Sequence, residues 1–279
     1  MEFVKLHGAG NDFLCLDARG REGWDWPALG RAWCDRHFGV GGDGLLLLLD
    51  SEVADWRLRI INSDGSEAEM CGNGIRCFAK WLRDEGFDAR EQLAIETPAG
   101  IMRPRLVGEP NGATQQVIVD MGPPGLDPAQ VPFRAAEGVT RVAETWLEAE
   151  GRRWAVTPVS MGNPHAVIFV DDLEAVDVEG WGPGLETHAA FPAKTNVEFV
   201  RVDGPGELTM RVWERGAGRT LACGTGACAT VVAGVLSGRC ERRATVHLDG
   251  GDLEIEWSES DDRLWMTGPA TTVFRGRIG

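Results

Sequence analysis

The sequence predicts an α+β protein made of two similar halves, each a curled β-sheet that forms a barrel-like shell around one central helix. Two cysteines, Cys71 and Cys223, each precede a Gly-x-Gly stretch and a helix-like apolar run, and they lie 152 residues apart (71 to 223). An early Gly-Asn pair recurs at the same offset. So does an arginine-bearing strand pattern, which ends at Asn62 and again at Glu214. Three unrelated features that share one offset indicate an internal duplication.

The boundary between the halves is expected near the middle of the chain, where "MGPPGLDPAQVP" concentrates proline and glycine. We expect an N-terminal half at residues 1–121 and a C-terminal half at residues 122–267. The tail, residues 268–279, is expected to pack back on the N-terminal half. The duplication further predicts an active site in the cleft between the two halves.

Short apolar and alternating runs such as "EFVKL", "LLLLLD" and "LTMRVW" predict strands. Pro27, at a first-turn position, predicts a helix over Ala28 to Phe38 that ends in a glycine-rich loop. Each cysteine turn is followed by a helical pattern, closed by Gly86 in one half and Gly238 in the other. Because residues 227–236 are almost entirely apolar, we expect that helix to be surrounded by protein. A hairpin follows each helix, "LAIETPAGIMRPRL" and "TVHLDGGDLEIEW".

The charge of the chain argues against two classes of partner. Its net charge of −15, from 43 acidic and 28 basic side chains, disfavours binding to nucleic acid or to an anionic membrane. The start of the sequence reads as a strand rather than a secretory leader, and the apolar runs are too short to span a bilayer. We therefore expect a cytoplasmic protein with a small-molecule partner, whose seven cysteines form no disulfide framework.

Two familiar kinds of site fit the sequence poorly. "GVGGDG" matches a dinucleotide fingerprint in letters, but a predicted helix precedes it and a strand follows it, which is the reverse of what that site needs. The cysteine spacings lack the close pairs of structural zinc sites, so no metal is expected. Five cysteines are interpreted as small core residues: Cys15, Cys34, Cys77, Cys228 and Cys240.

Cys71 and Cys223 differ from the others because each immediately precedes a glycine-rich first helical turn. Unpaired N–H groups and the positive end of the helix dipole are expected there, and both lower the pKa of a thiol and attract a carboxylate. Two such thiols on opposite faces of one carbon could remove a proton from one side and deliver a proton to the other. The duplication therefore predicts stereoinversion.

Several motifs in the same order make the chain similar to the diaminopimelate epimerases: "HGAGNDF", "INSDGSEAEMCGNGIRC", "SMGNPH", "WERGAGRTLACGTGAC" and "MTGPA". The resemblance covers nearly the whole chain. It implies two pseudo-symmetric halves and conversion of LL-2,6-diaminopimelate to the meso form in lysine and peptidoglycan precursor biosynthesis. It also implies a homodimer and a reaction without pyridoxal phosphate or any other cofactor.

The resemblance assigns roles to individual residues. Cys71 and Cys223 become the acid and the base, and His165 and Glu214 tune the pKa values of the thiols. The implied substrate-binding residues are Asn11, Asn62, Gly72, Asn73, Asn163, Asn196, Glu214, Arg215, Gly224 and Thr225. One position departs from the family pattern, because Gly44 stands where glutamine is frequent, and that side-chain contact does not carry over.

Three alternatives stay open at the level of sequence. A proline or hydroxyproline racemase of related fold also pairs two cysteines, but it typically has histidine where this chain has Asn73. An isomerase of the same fold without the cysteines is disfavoured because both are present. A thiol protein without catalytic activity, either a redox sensor or a structural module, is the most distant alternative.

Overall fold

The chain divides into two compact units in a computed structural model, which describes residues 1–108, 114–136 and 138–279. Unit 1 consists of Met1–Asp120 and Thr267–Gly279, and unit 2 consists of Met121–Met266. Strands dominate both units, and each unit contains one long buried helix. The α+β class predicted from the sequence is confirmed.

Unit 1 is built from short strands around helix α2. Its elements in chain order are β1 (Glu2–Gly8), β2 (Asn11–Asp17), α1 (Trp26–Trp33), β3 (Gly44–Leu49), β4 (Trp56–Asn62), β5 (Glu67–Ala68), α2 (Gly72–Asp84), β6 (Ile95–Thr97), β7 (Gly100–Met102), β8 (Arg105–Val107) and β9 (Thr114–Gly122). β1 pairs antiparallel with β2, β2 parallel with β3, and β3 antiparallel with β4. β4 then pairs antiparallel with β5 and parallel with β6, which forms a hairpin with β7.

Unit 2 repeats this arrangement around helix α4. Its elements are β10 (Thr145–Ala149), β11 (Arg152–Ser160), β12 (Pro164–Phe169), α3 (Val178–Glu186), β13 (Asn196–Gly204), β14 (Glu207–Glu214), β15 (Gly218–Thr220), α4 (Gly224–Leu236), β16 (Arg243–Leu248), β17 (Gly251–Trp257) and β18 (Leu264–Arg277), of which the last continues into unit 1. β11 to β15 pair in the order and directions of β1 to β5, and β16 and β17 pair like β6 and β7.

The repeat extends to single residues in the register of the strands. Phe13 of β2 lies opposite Gly44 of β3, and His165 of β12 lies opposite Asn196 of β13, so both partners shift by the same offset. The turns that precede β2 and β12 each contain a glycine with positive φ, Gly10 at 84° and Gly162 at 89°. The duplication inferred from the sequence is thus present as a repeated topology.

Helices α2 and α4 form the centres of their units. Of the 13 residues of α4, ten are buried, including the valines at 231 and 232, as expected for a helix that is apolar on all sides. Of the 13 residues of α2, eleven are buried, and two of these are charged: Arg76 hydrogen-bonds to backbone carbonyls, and Lys80 forms an ion pair with Asp84. No helix in the described ranges is long and apolar enough to cross a membrane.

Helix α1 is shorter than the sequence predicts, because it ends at Trp33 rather than at Phe38. The carbonyl oxygen of Trp33 accepts hydrogen bonds from the N–H groups of Val40 and Gly41, at 2.9 and 3.1 Å, which closes the helix with a loop. The Asp35 carboxylate accepts the N–H of Phe38 at 2.7 Å and so forms a local turn that competes with helix. The hairpins predicted after α2 and α4 are present as β6–β7 and β16–β17.

Candidate active site

The two cysteines with Gly-x-Gly neighbours occupy the same position in their units, the N-cap of the central helix. Cys71 and Cys223 both have extended backbone angles, and their sulfur atoms accept the N–H of Gly74 and of Gly226, each at 3.4 Å. The next residues, Gly72–Asn73 and Gly224–Thr225, form the first turns, whose N–H groups have no acceptor within the helix. Each unit therefore combines a thiol with a positive helix end.

In unit 1, three predicted residues meet at the start of α2. Asn11 Oδ1 accepts hydrogen bonds from Cys71 Sγ at 3.7 Å and from Asn73 Nδ2 at 3.2 Å. Behind them, the buried Arg76 donates from its guanidinium to Asn73 Oδ1 at 2.9 Å. The sulfur of Cys71 thus faces a fixed carbonyl oxygen.

A carboxylate fixes the orientation of Asn11. Asp43 Oδ2 accepts Asn11 Nδ2 at 2.7 Å, and Arg36 donates to Asp43 Oδ1 at 2.9 Å and to Asp12 Oδ1 at 2.7 Å. Although burial opposes it, hydrogen bonds from Arg36 and Lys5 hold the pKa of Asp12 at about 2, so this carboxylate is charged over the physiological range. Because Asp43 accepts from the amide nitrogen of Asn11, the carbonyl oxygen of that amide faces Cys71.

Asn62 and Gly44 lie opposite each other across β3 and β4. The amide of Asn62 donates to Ser66 Oγ at 2.9 Å rather than joining the hydrogen-bonded group of Asn11. A Cβ atom added to Gly44 would lie 2.7 Å from the carbonyl oxygen of Ile61, so a side chain here would require the backbone of β3 or β4 to shift. The tight backbone approach gives a physical reason for glycine at this departure from the family pattern.

In unit 2, a chain of hydrogen bonds runs through the equivalent positions. His165 and Glu198 are both fully buried, and His165 Nδ1 lies 2.6 Å from Glu198 Oε1. His165 Nε2 lies 3.0 Å from Asn163 Oδ1, and Asn163 Nδ2 donates to Thr225 Oγ1 at 3.4 Å. Thr225 Oγ1 lies 3.4 Å from Cys223 Sγ. The sulfur of Cys223 therefore lies at the end of a chain that begins at a buried carboxyl group.

The environment of Cys223 contradicts one prediction from the sequence. Burial, followed by the charges of Glu214 and Glu198, raises the pKa of this thiol well above its usual range. Hydrogen bonds from Thr225 and from the N–H of Gly226 act in the other direction without reversing the shift. The predicted lowering at a helix N-terminus is therefore wrong for Cys223, because desolvation and two neighbouring carboxyl groups outweigh the helix end.

Glu214 responds to the same surroundings. Burial raises the pKa of its carboxyl group, and the charge of Glu198 adds to the shift. Hydrogen bonds from the Thr220 hydroxyl and from the Cys223 thiol, together with the charge of His165, favour the ionised carboxylate. They therefore limit the upward shift of the Glu214 pKa. Cys223 therefore has an acceptor in Glu214 as well as a donor in Gly226.

Asn196 and Arg215 belong to a neighbouring part of unit 2. Asn196 is buried; its Oδ1 accepts the N–H of Arg215 at 2.9 Å, and its Nδ2 donates to the carbonyl oxygen of Pro164 at 2.9 Å. The exposed guanidinium of Arg215 donates to the carbonyl oxygen of Ala193 at 3.1 Å. Asn196 thus positions the backbone at the end of β14, and Arg215 presents a cation at the surface of the unit.

Several residues of these networks were not predicted from the sequence, among them Arg76, Asp43 and Glu198. Glu198 was detectable, because it interrupts the apolar run "VEFV" and stands at the 152-residue offset from Leu46 (46 to 198). The other cysteines fit their structural interpretation: Cys15, Cys34, Cys77 and Cys228 are buried, and Cys240 is half-buried. Among the described residues, no group of three or more histidine, cysteine, aspartate or glutamate side chains is arranged to hold a metal ion.

Sequence comparison identifies close relatives over the full length of the chain. The sequence model of the family described as diaminopimelate epimerase matches residues 3–126 and 157–273. The diaminopimelate epimerase of Heliobacterium modesticaldum is 53% identical over 283 residues, covering 100% of this chain and 99% of the relative. That of Desulfitobacterium hafniense is 56% identical over 279 residues, covering 99% of this chain and 97% of the relative.

Solved structures share the fold at low sequence identity. A phenazine biosynthesis protein of the PhzF family from Bacillus anthracis superposes with a TM-score of 0.70 at 18% identity, covering 100% of this chain and 99% of the other. A probable proline racemase from Agrobacterium radiobacter gives a TM-score of 0.71 at 15% identity, covering 100% of this chain and 92% of the other. These likenesses support the architecture.

Proposed function

The chain belongs to the diaminopimelate epimerase family, and from this premise we propose that it inverts one α-carbon of LL-2,6-diaminopimelate to give the meso isomer in lysine and peptidoglycan precursor biosynthesis. It does so without pyridoxal phosphate or a metal ion. The observation that carries the proposal is the repeated N-cap cysteine, because a thiol at the start of each central helix supplies the two proton-transfer groups that an inversion needs.

In the proposed mechanism Cys71 and Cys223 act as a pair. The thiolate of one takes the α-hydrogen as a proton, so the C–H bond breaks, an S–H bond forms, and the electron pair stays on the carbon and its carboxylate. The thiol of the other gives its proton to the opposite face of the same carbon. The two sulfurs have then exchanged protonation states, and the reverse reaction uses them in exchanged roles.

The helix ends stabilise the charge that develops on the reacting carboxylate. The backbone N–H groups of Gly72, Asn73, Gly224 and Thr225 are the donors proposed for this task. One preorganised donor of this kind lowers a barrier by about 3 kcal/mol. Such donors replace the electron sink that a cofactor supplies in other amino-acid epimerases.

The polar side chains around each cysteine bind the two amino-acid ends of the substrate. The exposed guanidinium of Arg215 binds the carboxylate at the non-reacting end of the substrate, and Glu214 orients an ammonium group. The asparagines at positions 11, 62, 163 and 196 supply the remaining polar contacts. His165 and Glu214 adjust the pKa values of the thiols, and the effect of the Glu214 charge on the pKa of Cys223 supports the role of Glu214.

The enzyme is proposed to work in the cytoplasm as a homodimer. Family membership and the absence of a membrane-spanning helix from the described part of the chain are compatible with this assignment. Light scattering coupled to size-exclusion chromatography measures the mass directly, and a dimer is expected at twice 30.3 kDa. A mass of 30.3 kDa at micromolar concentration would remove the dimer from the proposal.

Incubation of the reduced protein with LL-diaminopimelate in heavy water tests the reaction. The expected product is the meso isomer with deuterium at the inverted α-carbon, detected by chiral chromatography and NMR. Proline and hydroxyproline serve as comparison substrates, because a related racemase would invert these instead. Absence of both inversion and deuterium uptake with diaminopimelate would refute the proposed function.

A further inference from the structure

A buried pair of ionisable side chains, His165 and Glu198, lies behind Cys223 and has no counterpart in unit 1. Both side chains are fully buried, and their facing atoms, Nδ1 and Oε1, are 2.6 Å apart. The positions 152 residues earlier hold Phe13 and Leu46, which are buried and apolar. Because unit 1 forms the same strands with an apolar pair, the fold does not require the ionisable one.

Glu198 also lies close to the start of the central helix. A Cβ atom added to Gly226 would lie 2.8 Å from Glu198 Oε1 and 3.3 Å from Cys223 Sγ, so the missing side chain lets both groups approach the same point. At the equivalent Gly74, the nearest atom is Cδ2 of Leu46 at 3.3 Å. The carboxyl group of unit 2 thus takes the place of a methyl group in unit 1.

The geometry determines which ring nitrogen of His165 carries hydrogen. Glu198 Oε2 has no hydrogen-bond partner among the described residues, so His165 is the group that compensates this buried carboxyl. Asn163 Oδ1 faces Nε2 at 3.0 Å, and an amide oxygen can only accept, so Nε2 is the donor in this arrangement. Two forms of the pair supply that hydrogen: a histidinium beside a Glu198 carboxylate, or a neutral ring whose Nδ1 accepts from a protonated Glu198. A neutral ring with its hydrogen on Nδ1, beside a carboxylate, would leave Nε2 without hydrogen and facing an acceptor.

The N–H at His165 Nε2 sets the donor and acceptor roles of the hydrogen bonds between it and Cys223. With its oxygen held by His165 Nε2–H, the amide of Asn163 turns its nitrogen to Thr225 Oγ1. The hydroxyl of Thr225 accepts there, so its own hydrogen is free to point to Cys223 Sγ at 3.4 Å. Were Nε2 unprotonated, the amide of Asn163 would present the other end, and the hydroxyl of Thr225 would donate to it instead.

We propose that Glu198 is a positioning residue for Cys223: by keeping hydrogen on His165 Nε2, it aligns Asn163 and Thr225 so that the threonine hydroxyl donates to the sulfur. The inference rests on the proposed function, in which Cys223 gives its proton to the substrate and is left as a thiolate. That thiolate then accepts from Thr225 O–H and from Gly226 N–H, at 3.4 Å each. The ionisable groups that bear on this sulfur are Glu198, Glu214 and His165.

The first test replaces Glu198 by the isosteric glutamine. A glutamine has no acidic proton to share with Nδ1 and can donate to it or accept from it, so it permits both neutral forms of His165. We expect kcat/KM to fall about 10- to 100-fold in both directions, the usual loss for a hydrogen bond to a charged group. Glu256→Gln, the same change at an exposed glutamate of unit 2, is the control and should leave kcat/KM unchanged.

A double-mutant cycle with Thr225→Val distinguishes a directed chain from a general loss of structure. If Glu198 acts on Cys223 through Thr225, Glu198→Gln should change kcat/KM by less than about twofold once the hydroxyl is gone. Thr225→Ser retains the hydroxyl and should retain the response to Glu198→Gln. Equal effects of Glu198→Gln in the presence and absence of the hydroxyl would overturn the proposal.

Nitrogen-15 NMR of the labelled histidine rings supplies a readout that packing alone does not move. In the wild-type protein Nε2 of His165 should carry hydrogen, because it faces Asn163 Oδ1, and in Glu198→Gln that protonation should become partial. An unprotonated Nε2 in the wild type, or an unchanged signal in the variant, contradicts the inference.

Should Glu198→Gln fail to fold, the double variant His165→Phe/Glu198→Leu reproduces the apolar pair of unit 1 and should fold with reduced kcat/KM. Wild-type kcat/KM in that variant would likewise overturn the inference. Wild-type protein without epimerase activity refutes the proposed function, whereas an active wild type with an equally active Glu198→Gln refutes this inference alone.

Discussion

The starts of helices α2 and α4 have the same backbone conformation, but the side chains around the N-cap sulfur atoms of Cys71 and Cys223 differ. Cys71 Sγ donates toward the carbonyl oxygen of Asn11, which Asp43 holds in place. Cys223 Sγ lies 3.4 Å from the hydroxyl oxygen of Thr225, at the end of the chain of hydrogen bonds that begins at Glu198. The duplication thus provides two equivalent positions, and the side chains around them make the two thiols unequal. In the proposed inversion one sulfur begins as acid and the other as base, and unequal surroundings help the two thiols to hold different protonation states.

The largest expected effect comes from removing either sulfur. Cys71→Ser and Cys223→Ser should each lower kcat by about 10²- to 10⁴-fold, because a hydroxyl is far less acidic than a thiol at neutral pH. Initial rates by chiral chromatography, with circular dichroism to check folding, measure the loss. If one of the two variants kept wild-type turnover, the comparison between two functional thiols would fail.

A smaller effect is expected from the same substitution in the two helix starts. An added Cβ at Gly226 would lie 2.8 Å from the Glu198 carboxyl, so Gly226→Ala should destabilise unit 2 by about 1–3 kcal/mol and lower kcat/KM. At Gly74 the nearest atom is a leucine methyl at 3.3 Å, and the helix propensity of alanine offsets up to about 1 kcal/mol. Urea unfolding of both variants measures the difference. Equal losses would show that the two starts are packed alike.

The smallest effect concerns a histidine on the surface of unit 2. The Asp252 carboxylate accepts a hydrogen bond from His247 Nδ1 and, reinforced by Glu207, raises the pKa of His247 above its usual value. Since a raised pKa in the folded state favours the protonated form, this contribution is complete below pH 6.5 and is lost as the pH rises through the folded value. Because the side chain is 39% exposed, His247→Gln should cost only about 0.2–1 kcal/mol at pH 5.5 and less at pH 8.5. A loss that grows with pH in urea unfolding would contradict this.

Sequence reasoning was strongest where a local pattern had only one solution. The buried helix at residues 227–236 follows from its apolar composition, and the hairpins follow from their glycine-bearing turns. Helix α3 was not predicted, because "VEGWGPGLE" contains three glycines and a proline, which favour turns in isolation. Packing explains it: a Cβ at Gly182 would lie 2.5 Å from Trp213, so glycine permits the close approach of helix and strand.

The electrostatics of the candidate site were harder to predict than its position. The spacing of Cys71 and Cys223 identified the helix starts, but the shift in the pKa of Cys223 depends on Glu214 and Glu198. Those carboxyl groups lie 9 and 25 residues away in sequence (214 to 223 and 198 to 223), and only the parallel and antiparallel pairing of β12, β13 and β14 brings their strands together. Desolvation, the largest cause, is a property of the packed unit and has no local signature in the sequence.

The buried pair of His165 and Glu198 also constrains how such a protein can evolve. Passing from the apolar pair of unit 1 to the ionisable pair of unit 2 requires two substitutions, and either one alone leaves a buried ionisable group without its partner. Breaking such a pair costs about 3–5 kcal/mol, a large part of the roughly 5–15 kcal/mol that stabilises a typical domain. The two positions are therefore expected to change together, and the single-substitution intermediates form a fitness barrier that preserves the asymmetry of the two halves once it has arisen.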